Sequence, residues 1–470
     1  MCECFIIHTI KCANTCSLRV EGNMTRKKLR LLSSLTSILR TSVAEFYAGK
    51  SVFITGGTGF LGKVFIEKLL YSCKDIVNVF ILIRHKKDAN VIERVQQLIS
   101  KPLFGRIRSE RPDDLKKVIP INGDISQPGL GLSSTDERIL IDKVSVVFHV
   151  AATVKFNERL DIAVNTNVRG TQSVLNLCHR MKNIKAFVHV STAYCNTDQQ
   201  VLQEKIYPPR ADLCDVFKYI EQPHLDEEQI KDHFLKGLPN TYTFTKGLAE
   251  NYVEEHRGNI PTVIIRPSIV SPAFREPLAG WTDNWFGAAG ILTATVKGAN
   301  RAVLGDGNNV LDVIPVDYVS NVTIVAAAKC SKVNSLTVYN CCTSSCNPVT
   351  IRNFFNDNSY PTVLFTNSEW LVNIITFFLQ TIPAYIADLF VRLSGKQPRH
   401  VKLQSRIVFG RDLLKFFTTH SWEMKANNVR SLHASLQHTD RDLFPCDPSE
   451  MNWDEYTNIF VRGIKRYLMS

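Results

Sequence analysis

Several patterns that would assign this 470-residue chain to a particular class of protein are missing. No Cys-x2-Cys pair is matched by a second pair among the 13 cysteines, so we expect free thiols of a reducing compartment and no metal site. Residues 4–10 are short for the apolar region of a secretory signal, and no basic residue precedes them. Internal repeats and low-complexity blocks are also missing. The hydrophobic fraction of 44% excludes a wholly disordered or fibrous protein.

Acidic residues are outnumbered by basic ones, and the formal net charge is +12. Such an excess favours anionic partners, which include phosphorylated cofactors, nucleic acid and acidic lipid head groups. Composition alone does not choose among these partners.

The pattern of apolar runs divides the chain into three parts. Residues 1–46 form a basic tail, either an amphipathic helix on a membrane surface or a poorly ordered segment. Residues 47–345 alternate short apolar runs with helical stretches, which predicts parallel strands covered on both faces. Residues 346–470 differ in pattern and are expected to form a separate C-terminal domain.

A glycine-rich turn follows the first predicted strand. Residues 52–55 form an apolar run, and a helical pattern occupies residues 63–70. Glycine permits a tight turn and lets backbone N–H groups at the helix N-terminus approach a pyrophosphate. This order of strand, turn and helix predicts a Rossmann-like, doubly wound α/β fold. Its expected cofactor-binding residues are Thr55, Gly56, Gly59, Phe60, Leu61 and Gly62.

The residue that follows the second predicted strand, 77–83, indicates which dinucleotide is bound. An NAD site usually has Asp or Glu there for the ribose 2′-hydroxyl, whereas a basic residue accommodates the 2′-phosphate of NADP. Arg84 occupies this position, Lys86 and Lys87 follow, and Asp88 comes late. We therefore expect NADPH to be the cofactor.

Further cofactor contacts are expected where later strands end. The carboxylate after the third strand would hold the adenine edge, and two alanines after the fourth strand leave room for the cofactor across the sheet. His149 lies within a run of apolar strand residues and is interpreted as structural. An asparagine before the next helical stretch would brace a helix near the active site. These additional residues are Asp124, Ile125, Ala151, Ala152 and Asn167.

Four residues are candidates for the chemistry itself. Ser191 and Thr192 follow the strand 186–190, at the sheet edge where α/β proteins bind ligands. Tyr242 and Lys246 are four residues apart and share one face if helical. The ammonium is expected to lower the pKa of the tyrosine, ordinarily about 10. The hydroxyl of Thr192 or Ser191 would hold the carbonyl oxygen of a substrate.

Three stretches of the sequence resemble the extended short-chain dehydrogenase/reductase superfamily. They are residues 55–62, Ser-Thr-Ala-Tyr at 191–194 and Tyr-Thr-Phe-Thr-Lys at 242–246. Other stretches are similar to the fatty acyl-CoA reductases that form fatty alcohols. They lie at 45–50, 150–156, 265–268 and 280–284, and in the C-terminal third at 382–384, 443–444, 452–456 and 463–467. The resemblance covers about residues 44–469 and implies a mainly helical C-terminal domain.

The resemblance implies NADPH-dependent reduction of a long-chain fatty acyl-CoA to a primary alcohol, through a bound aldehyde and with release of coenzyme A. Tyr242 would protonate the developing alkoxide, and Lys246 would lower the pKa of Tyr242 and hold the nicotinamide ribose. Thr192, rather than Ser191, would orient the carbonyl. The nicotinamide pocket would be lined by Pro267 and Ser268. Nucleic acid is then not an expected partner, and the oligomeric state is left open.

Alternatives to this activity remain at the level of the sequence. One is another enzyme of the superfamily that acts on a sugar nucleotide or a sterol, or a thioester reductase that stops at the aldehyde. The other is a catalytically silent NADP-binding sensor or membrane scaffold, which the presence of both Tyr242 and Lys246 disfavours.

An apolar stretch in the C-terminal third bears on membrane contact. Residues 370–387 carry no formal charge, at the lower edge of transmembrane length, but polar residues and Pro383 interrupt them. We favour membrane-surface contact or a soluble lid over a true span. Many members of the family have a further hydrophobic anchor after the second domain, whereas this chain ends at Ser470 without a Ser-Lys-Leu signal. We expect membrane association with the catalytic domain facing the cytosol, at the endoplasmic reticulum or peroxisome surface.

The acyl chain of such a substrate needs apolar walls. Trp281, Trp285, Phe286 and the stretch 370–393 are candidates, and ordinary core packing is the alternative explanation for these aromatic residues.

Overall fold

A computed structural model describes residues 42–469, apart from 86–89, 223, 225, 286–289, 291–292, 296–297, 331–334 and 356–362. Most of the predicted basic tail, Lys86, Lys87 and Phe286 therefore lie outside the described residues.

Within the described residues, the strands form one large parallel sheet and three small pairs. They are β1 (Ser51–Thr55), β2 (Asn78–Ile83), β3 (Val118–Asn122), β4 (Val144–His149), β5 (Ala186–Val190), β6 (Val201–Leu202), β7 (Thr262–Pro267), β8 (Ile269–Ser271), β9 (Ala302–Leu304), β10 (Val313–Pro315), β11 (Leu336–Cys341), β12 (Leu364–Thr366) and β13 (Glu423–Met424). The large sheet has the order β11-β7-β5-β4-β1-β2-β3, and the pairs are β8–β10, β9–β12 and β6–β13. The parallel order confirms the predicted doubly wound α/β fold.

Helices cover both faces of this sheet and dominate the C-terminal third. They are α1 (Val43–Tyr47), α2 (Phe60–Ser72), α3 (Val91–Ile99), α4 (Gly105–Glu110), α5 (Ser134–Lys143), α6 (Leu160–Val164), α7 (Gly170–Arg180), α8 (Leu213–Ile220), α9 (Glu227–Gln229), α10 (Thr241–His256), α11 (Val316–Cys330), α12 (Ile351–Phe355), α13 (Glu369–Thr376), α14 (Ile382–Leu393), α15 (His400–Thr419), α16 (Asn427–Ala434), α17 (His438–Leu443) and α18 (Trp453–Tyr467).

Side chains of the sheet alternate between two apolar cores. In β1, Val52 and Ile54 belong to the core that includes residues of α2 and α11, whereas Phe53 belongs to the core that includes residues of α7. All three side chains are fully buried. Because both faces are covered, the strands are apolar throughout rather than alternating, which is the pattern seen in the sequence.

The order of the strands reverses at β1. Strands β2 and β3 lie on one side of it, and β4, β5, β7 and β11 lie on the other. At such a switch point the loops that leave the neighbouring strands diverge and open a crevice at the carboxyl ends, where α/β proteins bind ligands. Thr55 and His149, the last residues of β1 and β4, face each other in register at this crevice.

Helix α18 attaches the end of the chain to the body of the protein. A Cβ at Gly463 would lie 1.9 Å from the Gly280 carbonyl oxygen, so the two backbones touch only because both residues are glycine. Tyr456 of α18 is fully buried and donates a hydrogen bond to the Pro272 carbonyl oxygen at 2.8 Å. The predicted domain boundaries at residues 46 and 345 stay predictions.

Candidate active site

The turn after β1 forms a backbone cradle that requires glycine. Gly56 has a φ of +75°, and a Cβ there would lie 2.7 Å from the Ala151 nitrogen on the loop after β4. A Cβ at Gly62 would lie 2.3 Å from the Gly56 carbonyl oxygen. Gly59 is the N-cap residue of α2 and has no side chain that could accept a hydrogen bond. The first N–H groups of this 13-residue helix therefore have no side-chain acceptor. The cradle fits the pyrophosphate of a dinucleotide.

A hydrogen-bonded network holds the two strand ends together. The Thr55 hydroxyl accepts a hydrogen bond from the Ala151 N–H at 3.2 Å and lies 2.7 Å from His149 Nδ1. The Thr171 hydroxyl donates to the Asn167 carbonyl oxygen and lies 3.0 Å from His149 Nε2. Burial, and then the charge of Lys246, lower the pKa of His149. His149 is therefore a neutral structural residue, in line with its interpretation from the sequence.

Helix α10 carries the Tyr–Lys pair. Its N-cap residue is Asn240, whose side-chain oxygen accepts a hydrogen bond from the Thr243 N–H at 2.9 Å. Lys246 is buried and donates a hydrogen bond to the Val190 carbonyl oxygen at 2.6 Å. The Thr192 side chain hydrogen-bonds the half-buried Tyr242. The fold thus brings Thr192, Tyr242 and Lys246 together at the carboxyl end of β5.

The pKa values of this pair are set mainly by burial. Burial raises the pKa of Tyr242 above its ordinary value, and the hydrogen bond with Thr192 offsets this only in part. The expected lowering of the Tyr242 pKa is therefore wrong in sign, because removing the phenolate from water outweighs the interactions that stabilise it. Burial also lowers the pKa of Lys246 to about 8, against the opposing charge of Glu250.

Two serines at the same sheet edge have buried hydroxyl groups. Ser191 Oγ and Ser268 Oγ have no hydrogen-bond partner within the part of the chain that the structure describes. Ser191 follows β5, and Ser268 follows Pro267, which ends β7 opposite Cys341. A buried hydroxyl without a partner is costly, and a bound cofactor or substrate would supply the partner.

Asn167 braces α10, as expected from the sequence. It lies in the π-helical turn Asn165–Arg169, and its amide oxygen accepts a hydrogen bond from the Thr153 N–H at 2.9 Å. Its amide nitrogen donates to the Thr153 carbonyl oxygen and to Thr245 Oγ1 at 3.0 Å. These bonds tie the loop that contains Ala151 and Ala152 to the residue before Lys246. Direct contact of Asn167 with a cofactor stays a prediction.

Charged side chains gather where β2 and β3 end. The Arg84 guanidinium is 70% exposed and lies 3.9 Å from the Asp124 carboxylate. Arg94 of α3 donates a hydrogen bond to the Arg84 carbonyl oxygen, and burial together with the Arg84 charge lowers the Arg94 pKa. Arg94 could not be predicted from the sequence, because no motif connects it with Arg84. Ile125 packs against Gly170, where a Cβ would lie 2.5 Å from the Ile125 side chain, and its contact with a cofactor stays a prediction.

A buried ion pair behind Lys246 was also missed. Glu250, one turn further along α10, accepts hydrogen bonds from Arg266 of β7 at 2.8 and 2.6 Å, and both side chains are 2% exposed. The Arg266 guanidinium also donates to the carbonyl oxygens of Gln203 and Lys205. The pair fixes α10 on β7 and places a negative charge near Lys246.

We predict that Glu250→Leu lowers the free energy of unfolding by about 3–5 kcal/mol, because it leaves the Arg266 guanidinium buried and unpaired. Urea unfolding of the purified protein measures this change. The double variant Glu250→Leu/Arg266→Met should recover part of the loss, because it removes both buried charges. A single variant within about 1 kcal/mol of the parent would show that the pair does not hold α10 in place.

Aromatic side chains cover Tyr242 on the outer side. The ring of Phe156, in the loop after β4, lies 6.1 Å from the Tyr242 ring, and Phe417 of α15 lies 5.4 Å from Phe156. A cleft of about 330 Å³ opens here, with Phe156, Asn240 and Phe416 among its lining residues. Phe156 and Phe417 were not predicted from the sequence as walls of the acyl-chain site.

The two tryptophans proposed as walls of the acyl-chain site do not line the cleft beside Tyr242. Trp281 is buried and stacks on Phe60 at 5.6 Å, beside the glycine cradle, whereas Trp285 is half exposed. Core packing therefore accounts for Trp281.

Solved structures share this fold, and family models indicate the class of protein. The reductase domain of a non-ribosomal peptide synthetase from Mycobacterium tuberculosis has a TM-score of 0.60 at 16% identity, over 92% of this chain and 95% of that chain. The terminal R domain of the myxalamid PKS-NRPS pathway has a TM-score of 0.57 at 17% identity, over 93% and 97%. A family model of an NAD-binding domain, described as "Male sterility protein", matches residues 54–323. A second model with the same description matches residues 379–470. The chain is an oxidoreductase with a nicotinamide-dinucleotide-binding, Rossmann-type fold.

Curated relatives narrow this class to one family. Fatty acyl-CoA reductase 1 of Xenopus laevis is 37% identical over 447 residues, which cover 91% of this chain and 86% of the relative. The protein of the same name from Homo sapiens is 36% identical over the same shares of the two chains. Fatty acyl-CoA reductase wat of Drosophila melanogaster is 34% identical over 90% and 85%. The chain belongs to the fatty acyl-CoA reductase family, which confirms the resemblance seen in the sequence.

Proposed function

We propose that this protein uses NADPH to reduce a long-chain fatty acyl-CoA to a primary fatty alcohol, through a bound aldehyde and with release of coenzyme A. The observation that carries the proposal is the meeting of Thr192, Tyr242 and Lys246 at the same sheet edge as the glycine cradle. The names of the relatives support the substrate class.

The proposed chemistry assigns a role to each of these side chains. One bound NADPH would supply a hydride to the thioester carbonyl carbon, with loss of the coenzyme A thiolate, and a second NADPH, bound after NADP⁺ has left, would supply a hydride to the aldehyde carbon. The Thr192 and Tyr242 hydroxyls together hold the carbonyl oxygen of the substrate. The Tyr242 hydroxyl keeps its proton at neutral pH, since even an ordinary tyrosine has a pKa of about 10, and donates it to the developing alkoxide. Lys246, on the same helix face, carries the charge that favours the phenolate left behind.

The functional test supplies purified full-length protein with NADPH and acyl-CoAs of graded chain length, and identifies the products by mass spectrometry. We expect a primary alcohol and one free coenzyme A per substrate molecule. A free aldehyde as the final product would support a thioester reductase instead. An absence of turnover with every acyl-CoA would remove the proposal.

NADPH is proposed over NADH because two guanidinium groups flank the end of β2. Arg84 is exposed and Arg94 lies beside it, an arrangement that suits a 2′-phosphate. We predict that Arg84→Ala raises the KM for NADPH about tenfold through the loss of a charge-assisted hydrogen bond. Initial rates with NADPH and with NADH measure the effect, and those with NADH should stay unchanged.

Lys116→Ala is the matched control, because Lys116 is an exposed basic residue that pairs with Asp113 at the protein surface. It should leave the KM for NADPH at the parent value. An equal loss with both cofactors in Arg84→Ala would contradict a role for Arg84 in recognition of the 2′-phosphate.

We also propose membrane association, with the catalytic domain facing the cytosol at the surface of the endoplasmic reticulum or of peroxisomes. The helical segment Glu369–Leu393 is long and apolar enough to cross a membrane by length and composition, and 17% of its most apolar window is buried. The cysteines in the described ranges are free thiols, which supports a reducing compartment.

A further inference from the structure

A helical hairpin in the C-terminal third has a polar interior. Its first arm is the continuous helical segment 369–393, made of α13, the π turn Phe377–Thr381 and α14, and its second arm is α15. Polar contacts join the arms in antiparallel order. Arg411 donates to Thr376 Oγ1 at 2.8 Å, and the amides of Gln404 and Gln380 lie 2.6 Å apart. Nearest the tip, the Asp388 carboxylate accepts hydrogen bonds from the first backbone N–H groups of α15.

The opposite face of the first arm is apolar and exposed. Side chains spaced at helical intervals are between 56 and 76% exposed: Phe378, Leu379, Tyr385, Leu389, Phe390 and Leu393. A helical hairpin in a water-soluble protein buries its apolar side chains and exposes its polar ones, whereas this hairpin buries polar groups and exposes large apolar ones. Such a face fits the hydrocarbon region of a lipid layer.

The tip of the hairpin has one sign of charge. Residues 389–411 contain no Asp or Glu, and five basic side chains there are exposed: Arg392, Lys396, Arg399, Lys402 and Arg406. Basic groups beside an apolar face complement the anionic head groups of a membrane surface, at about 1 kcal/mol for each Lys or Arg near it. This charge favours a lipid bilayer over a second copy of the chain, which would bring like charges together.

The other end of the hairpin reaches the candidate active site. Lys415 lines the cleft beside Tyr242 and pairs with Glu369, next to the exposed Trp370 at the start of the apolar face. From the cleft, Phe417 and Phe156 lead in contact to the Tyr242 ring. The start of the apolar face therefore lies one ion pair away from the cleft.

We infer that the hairpin, residues 369–419, docks on an anionic lipid bilayer with its apolar face in the acyl region, and that the long acyl chain of the substrate moves along this face into the cleft beside Tyr242. This inference rests on the proposed function and deepens it. The hairpin lies in the plane of the interface rather than across the bilayer, because its second arm presents exposed charged residues along its length.

The direct test is co-sedimentation of the full-length protein with vesicles of phosphatidylcholine containing about one-third phosphatidylserine. The triple variant Phe378→Ser/Leu389→Ser/Phe390→Ser should bind at least about tenfold more weakly than the parent, because it removes three large apolar groups from the face. These side chains are exposed, so the fold should be retained. Ile92→Ser is the matched control: Ile92 is an equally exposed apolar residue on α3, and its loss should not change binding.

A second measurement locates the contact independently of the basic tail. Vesicles of brominated phosphatidylcholine and phosphatidylserine should quench part of the tryptophan emission. Trp370→Phe should abolish that quenchable part, whereas Trp453→Phe, which removes an indole hydrogen-bonded to Asn347, should not. Parent-like binding of the triple variant, or quenching that survives Trp370→Phe, would overturn the inference. So would a lipid-free dimer in light scattering that the triple variant abolishes.

Kinetics separates this inference from the proposed function. With a short, water-soluble acyl-CoA, the triple variant should keep the kcat/KM of the parent. With a long-chain acyl-CoA held in the vesicles, its kcat/KM should fall at least about tenfold. An equal fall with both substrates would contradict delivery from the membrane. A parent that binds vesicles but turns over neither substrate would overturn the proposed function instead.

Discussion

Tyr242→Phe should lower the rate of acyl-CoA reduction by roughly 10²–10⁴-fold, the range expected when a positioned proton donor is lost. The variant removes one oxygen atom and keeps the ring that contacts Phe156. The proposed reaction needs this hydroxyl, because it donates the proton that the developing alkoxide takes up. Oxidation of NADPH, followed by absorbance, and product mass together measure the loss.

Two controls separate chemistry from folding in this experiment. NADPH should bind Tyr242→Phe about as tightly as it binds the parent. Tyr252→Phe changes a partly exposed tyrosine on the same helix, stacked on His256, and should leave turnover unchanged. Parent-like turnover by Tyr242→Phe would remove this residue from the mechanism.

Gly56→Ala should weaken NADPH binding by roughly 10–100-fold, the effect of losing one hydrogen bond to a charged phosphate, about 1.5–3 kcal/mol. The new Cβ would lie 2.7 Å from the Ala151 nitrogen, and φ at this position is +75°. Either the loop after β4 or the turn after β1 must shift, and both border the crevice. A fluorescence titration with NADPH measures the dissociation constant.

Gly105→Ala provides the control, because a Cβ at Gly105 meets no atom within 4 Å. It should leave NADPH binding and stability near the parent values. If Gly56→Ala binds NADPH as tightly as Gly105→Ala does, then the dinucleotide does not occupy the cradle.

The parts of the fold that follow from local patterns were predictable from the sequence. Strands such as β1 and β4 are apolar throughout because both faces of the sheet are covered. Gly56 directly follows β1 and Gly62 lies in the first turn of α2, so the residue pattern alone was enough to recognise the cradle. The four-residue spacing of Tyr242 and Lys246 likewise placed both on one face of α10.

Features that depend on long-range contacts could not be predicted in this way. Arg266 meets Glu250, and Phe417 meets Phe156, only after the sheet and the C-terminal third have assembled. The sign of the Tyr242 pKa shift was missed for the same reason, because burial is a property of the whole fold. The apolar stretch 370–393 was visible, but the polar contacts with α15 that orient it were not.

The most direct test of this account uses NADPH that carries deuterium at the transferred position of the nicotinamide, together with a long-chain acyl-CoA and the full-length protein. We predict a primary alcohol with two deuterium atoms on its first carbon, formed by the parent and at least about 10²-fold more slowly by Tyr242→Phe. An alcohol without deuterium, or a labelled alcohol formed equally fast by Tyr242→Phe, would contradict it.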